Sequence, residues 1–292
     1  MKNILQKSID SLRQIEELLF SMGESRANSI NDAAASSGEG FEPVQVYNPT
    51  GASSVLLVCE HASNYIPVAY SNLGLDAGAL KSHVAWDPGA RAVAINLSKQ
   101  LDATLVAARV SRLIYDCNRP PEAEAAMPAR SELFDIPGNI AIGAQDRASR
   151  TSEVYEPFRE TLAAIIAARQ GDSIIVTIHS FTPIYMGKSR SVELGVLHDS
   201  DCRLADVMLD IAARHTDLNV QRNSPYGAED GVTHTLKLHG IENGILNVML
   251  EIRNDLIVTT EQQKDVAGML AGLLVEAVAS AALHSANEGQ TC

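Results

Sequence analysis

Hydrophobic positions in this chain fall into short, nearly unbroken runs separated by longer stretches in which apolar residues recur every three or four places. The runs Val55 to Cys59, Thr104 to Val110, Ile174 to Ile178, Leu194 to Leu197 and Ile245 to Leu250 are rich in Val, Ile and Leu. Such runs suit strands covered on both faces, as in the middle of a parallel sheet. Helical spacing occupies about 88 to 101, 152 to 169, 202 to 215 and 261 to 283. This alternation predicts an α/β domain around a mostly parallel sheet. Between them, Pro120 to about Arg150 carries Pro, Gly and Ser without clear period, and is expected to be a long loop of the kind that covers a site.

The N-terminal part reads differently. Leu5, Leu12, Ile15, Leu19 and Met22 predict an amphipathic helix over residues 2 to about 22, followed by a Ser, Ala, Asn and Gly segment to Gly40. The expected organisation is therefore an extension, 1–40, before a main domain, 41–292. The helix is expected to pack on its own domain, with a homo-oligomer contact as its competing role, since three heptads are marginal for a coiled coil.

Composition narrows the partners. A formal charge of −13 excludes nucleic acid and anionic membrane as general partners, because both need a basic footprint. A small anionic molecule remains compatible if it meets a locally basic pocket. No run approaches a membrane span and no signal peptide is recognisable, so a cytoplasmic location is expected. Cys59, Cys117, Cys202 and Cys292 lack CxxC spacing and read as scattered thiols.

Chemistry gathers at strand ends. The first run leads into Glu60-His61, the third into Thr177-Ile-His-Ser180, and the last reaches Glu251. Ligands of open α/β sheets sit outside the carboxyl ends of the strands. Two histidines and a carboxylate from different strands are the raw material of a catalytic zinc site, which takes about three protein ligands and leaves one position open. Asp87, before a Pro-Gly turn, is either a helix N-cap or the third, carboxylate ligand. Arg112, Arg119 and Arg253 crowd strand exits in an acidic chain, and a guanidinium fork matches a carboxylate. His198 also stands at a strand end.

Six ordered motifs carry a resemblance: Cys59-Glu-His-Ala-Ser-Asn64, Ser111-Arg112 with Asp116-Cys-Asn-Arg-Pro120, Ile136-Pro-Gly-Asn139, Ile178-His-Ser-Phe-Thr-Pro183, Asn223-Ser-Pro-Tyr-Gly227 and Glu251-Ile-Arg-Asn-Asp255. Over about residues 45 to 280 the chain resembles the N-formylglutamate amidohydrolase family, itself similar in fold to zinc carboxypeptidases and aspartoacylase. The resemblance implies a three-layer α/β/α fold with a mixed, mostly parallel sheet. It implies His61 and His179 as zinc ligands, Glu251 as general base, and Asn118-Arg119, helped by Arg112 or Arg253, as holders of substrate carboxylates. The carboxypeptidase pattern has Glu three residues after its first His, where this chain has Asn64. The carboxylate ligand is then expected to be Asp87, with Glu60 as competitor.

The implied reaction is hydrolysis of N-formyl-L-glutamate to formate and glutamate, with one Zn(2+), as in histidine degradation. The rival readings are a deacylase or carboxypeptidase-like hydrolase with another substrate, or a silent metal- or carboxylate-binding protein.

Overall fold

A computed structural model of the chain describes residues 41–169 and 173–285. The helix expected over residues 2 to about 22, and with it the homo-oligomer contact, lies outside the described residues. The unit Glu42–Cys292 holds everything that follows.

Seven strands form the main sheet: β1 (Val44–Tyr47), β2 (Val55–Cys59), β3 (Thr104–Ala108), β6 (Ile174–Phe181), β9 (Leu194–Leu197), β10 (Val220–Arg222) and β11 (Asn247–Arg253). Two small hairpins, β4–β5 (Arg130–Ser131, Phe134–Asp135) and β7–β8 (Ile184–Tyr185, Lys188–Ser189), stand apart from it. The order across the sheet is β1-β3-β2-β6-β11-β9-β10. The four central strands, β3, β2, β6 and β11, are parallel, whereas β1 and the β9–β10 pair run antiparallel to their inner neighbours. The sheet is mixed and mostly parallel, in an α/β fold.

Burial on both faces explains the unbroken apolar runs. Along β2, Val55, Leu57 and Cys59 pack with the helices Ala90–Leu101, Arg203–Ile211 and Thr260–Ser285. Leu56 and Val58, pointing the other way, pack with Tyr115, Phe158 and Leu162. Fully burying a Val or Leu contributes about 1.5–3 kcal/mol, so each run is anchored from two sides.

Several boundaries differ from the sequence reading. The expected loop to Arg150 instead contains the β4–β5 hairpin, and a helix already begins at Ala144, passing through a π turn at Thr151–Tyr155 into Glu156–Ala168. Its Arg150 is buried and donates to Asn139 Oδ1 at 2.6 Å, fastening the irregular segment. β11 extends past Leu250, so Glu251 lies within the strand. Cys59 and Cys117 are buried free thiols. Among the described residues no helix is long and apolar enough to cross a membrane.

Candidate active site

His61 follows the carboxyl end of β2, His179 sits near the end of β6, and Glu251 lies opposite His179 in the parallel β6–β11 register. Three strand ends therefore deliver three polar side chains to one place, all at least nine-tenths buried. Asp87 arrives from the turn before the helix Ala90–Leu101. Its backbone N–H donates to the His61 carbonyl at 3.0 Å, and its Oδ2 accepts from the Ser180 N–H at 3.2 Å. The helix is capped at Gly89, which has φ of 85° and whose hypothetical Cβ would stand 2.7 Å from the Ile257 carbonyl. Glycine is therefore required there. Asp87 is freed from N-capping and turned toward the histidines.

The donor atoms converge. His61 Nδ1 and His179 Nδ1 are 3.1 Å apart, and Asp87 Oδ2 lies 3.3 Å from the first and 3.0 Å from the second. A tetrahedral ion with bonds of about 2.0–2.1 Å separates its donors by about 3.3–3.4 Å, so the residues fit a small divalent cation. Behind each ring stands a second carboxylate: Asp116 Oδ1 is 2.7 Å from His61 Nε2, and Glu60 Oε2 is 3.2 Å from His179 Nε2. The Asp116 hydrogen bond keeps the proton on Nε2 of His61 and leaves its Nδ1 free to ligate, whereas Glu60 is an ion-pair neighbour of His179 Nε2 outside hydrogen-bond geometry. Glu60, the competitor for the third ligand position, thus faces the far side of His179.

Electrostatics agree with this geometry. Burial opposes ionisation of Asp87, yet His61 and His179 pull its carboxyl well below the usual range. Burial likewise opposes the charge on His179, but Glu60 and Asp87 lift its pKa well above the ordinary value. Glu251 behaves oppositely. Burial, reinforced by the Asp87 charge and opposed by His179, pushes it up to about 7. Gly195 on β9 passes beside it, and a Cβ there would lie 3.2 Å from the Glu251 Cβ.

A cavity of about 360 Å³ opens onto this group. Arg112 lines it and bridges Asp87 Oδ1 at 3.3 Å and Asp116 Oδ2 at 3.0 Å. Arg119 lines it too, with Nη1 donating to the Asp230 carbonyl at 2.7 Å. Asn118 borders the cavity, but its amide is spent elsewhere: Nδ2 donates to the Val232 carbonyl and Oδ1 accepts from the Thr235 N–H at 3.0 Å. Arg253 is not brought to the cavity, because its guanidinium is held by Glu193 at 3.1 Å and Asp255 at 2.8 Å. His198 is also absent from the wall, and Arg222 and the Asp199 carbonyl occupy its ring nitrogens.

The N-formylglutamate amidohydrolase family model matches residues 53–258. The chain belongs to this family. A crystal structure of a gene product from Agrobacterium tumefaciens is 54% identical, with a TM-score of 0.80 over 82% of this chain and 96% of that one. The crystal structure of N-formylglutamate amidohydrolase from Ralstonia eutropha JMP134 shares the fold at a TM-score of 0.56 and 16% identity, over 83% of this chain and 98% of that one. No curated protein matches the sequence.

Membership in the N-formylglutamate amidohydrolase family makes amide hydrolysis on a small molecule the frame for the cavity. Asp116, within the Asp116-Cys-Asn-Arg-Pro120 motif, and Tyr226 both sit on the cavity wall, and neither is singled out by the sequence pattern. His83 also lines the cavity and meets Glu132 of the β4–β5 hairpin at 2.7 Å. Nothing in a single sequence marks His83, whose partner lies 49 residues away.

Proposed function

We propose that this family member hydrolyses N-formyl-L-glutamate to formate and L-glutamate with one divalent ion, zinc, held by His61, Asp87 and His179. The observation that carries the reading is the meeting of their three donor atoms at 3.0–3.3 Å, with each imidazole backed by a further carboxylate. Charge supports it as well. Asp87, Asp116, Glu60 and Glu251 are four buried carboxylates in one cluster, of which the Arg112 guanidinium bridges only two. Buried charge left unbalanced costs several kcal/mol per ion, and a dication offsets the difference.

A zinc ion there supplies Lewis-acid polarisation of the formyl carbonyl and acidifies water. Glu251, with its pKa near 7, accepts the proton from water and returns it to the leaving amide nitrogen. Arg119, anchored by the Asp230 carbonyl, presents its remaining edge to a substrate carboxylate. Arg112 fixes Asp87 and Asp116 relative to each other and keeps a positive charge beside the reacting carbonyl. Asn118 acts on the protein, clamping the 232–235 segment that forms part of the wall.

The test is formate release from N-formyl-L-glutamate by metal-analysed protein. Loss of turnover on chelation and its return with zinc is the expected result. Turnover that survives complete removal of bound metal overturns the metal reading.

A further inference from the structure

Arg190 sits in a box of three aromatic rings, and all three rings also line the cavity. Its guanidinium lies 4.5 Å from the Tyr185 ring centroid, 4.9 Å from Tyr226 and 5.6 Å from Phe181. The β7–β8 hairpin puts it there. That hairpin leaves β6 directly after Phe181, and Arg190 closes it by donating its backbone N–H to the Pro183 carbonyl at 2.8 Å. Phe181 lies two residues beyond His179 on the same strand, so both point to the same face. Tyr226 stands near Glu251. Burial, with the Glu251 charge second, holds its phenol at about 12, so it remains a hydrogen-bond donor at neutral pH.

The guanidinium has no acidic partner. Around the cavity Arg112 is paired with Asp87 and Asp116, Arg119 approaches Asp116 at 3.9 Å, and Arg130 is 3.4 Å from Asp135. Among the described residues no carboxylate pairs with Arg190, which donates to the Thr182 carbonyl at 3.3 Å. Aromatic faces hold a guanidinium in place and attract its charge, but they do not neutralise it. A half-buried, pre-oriented cation held directly behind three rings of the cavity wall is therefore matched to an anion that comes with the ligand.

We propose that Arg190 is a specificity determinant, receiving the side-chain carboxylate of an N-acyl dicarboxylic amino acid whose α-carboxylate lies on Arg119. The inference rests on the amidohydrolase reading above and gives it a second anchor. It makes the site select N-acyl glutamate or aspartate over uncharged isosteres, because a site built to hold a charged group discriminates strongly against an analogue lacking it.

Arg190→Met keeps a long stem against the three rings and removes the charge, and Arg190→Lys restores the charge without the planar fork. Full-length, zinc-loaded protein is assayed on N-formyl-L-glutamate and N-formyl-L-glutamine, with binding of L-glutamate and L-glutamine followed by calorimetry. For R190M, kcat/KM on N-formylglutamate falls about 10- to 100-fold, mainly through KM, while kcat/KM on N-formylglutamine is unchanged. R190K recovers part of the loss on the charged substrate alone. Equal losses on both substrates, or no loss on either, overturn the proposal. If wild-type protein releases formate from neither substrate, the hydrolase reading fails. The calorimetry then still decides for Arg190: selective loss of glutamate binding in R190M supports it, and unchanged glutamate binding refutes it.

Discussion

The Nδ1 atoms of His61 and His179 face each other at 3.1 Å, with a buried carboxylate beside the far nitrogen of each ring. Two imidazole lone pairs at that separation repel unless a positive charge lies between them. Without metal a shared proton meets the need, in keeping with the raised pKa of both histidines against the opposing effect of burial. A divalent cation meets it with more charge and a third donor, Asp87.

Replacing a donor should cost more metal affinity than replacing a supporting carboxylate. Glu60→Gln is expected to weaken zinc binding by about 10- to 100-fold, the usual range for an outer partner of a ligating histidine. Asp87→Ala and His179→Ala should each exceed that loss. Competitive titration against a chromophoric chelator ranks the three, and a Glu60→Gln loss equal to that of His179→Ala would return Glu60 to the coordination sphere.

Glu251→Gln should leave zinc affinity nearly unchanged and reduce kcat by about 10²–10⁴, the range for losing a general base. Metal content and formate release measured on the same preparation check both halves. Retained turnover would move the base elsewhere.

The pH dependence follows from the raised pKa of Glu251, about 7 in the fold against the usual 4.5. The base works as carboxylate, so kcat/KM should rise with pH, and a bound cation should move that limb below 7. Stability in metal-free protein runs the other way. Between pH 4.5 and 7 the unfolded chain ionises this group before the fold does, so its contribution declines as pH rises and levels off above 7. Glu251→Gln should therefore gain in melting temperature over wild type across that window and hold the gain above it. A difference that does not vary with pH would contradict the assignment.

Asn118 and Arg119 are adjacent in sequence but should fail differently. Asn118→Ala strands the Val232 carbonyl and the Thr235 N–H, with an expected loss of about 1–3 kcal/mol in denaturant unfolding. Arg119→Ala should leave stability largely intact and raise KM for carboxylate-bearing substrates. An unchanged KM would remove Arg119 from the substrate site.

The sequence by itself determined the sheet's interior and the kind of chemistry at its edge. Continuous Val, Ile and Leu runs are local signals of strands buried on both faces, and β2, β6, β9 and β11 all follow from them. His61, His179 and Glu251 could be read because each continues such a run. The edge strands β1 and β10 were not legible, since Val44–Tyr47 and Val220–Arg222 are short and mix polar with apolar residues. Only the tertiary structure brings a carboxylate, that of Asp87, within 3.3 Å of both histidine Nδ1 atoms. Asp87 and Glu60 are both acids near His61, and the choice depends on a turn that carries Asp87 onto Ser180, 93 residues away. The same holds for Asn118, claimed by a backbone segment 117 residues distant, and for Arg190, whose box takes rings from β6, the β7–β8 hairpin and the segment after β10. Periodicity is a property of neighbouring residues, whereas partners are chosen by register and packing across strands.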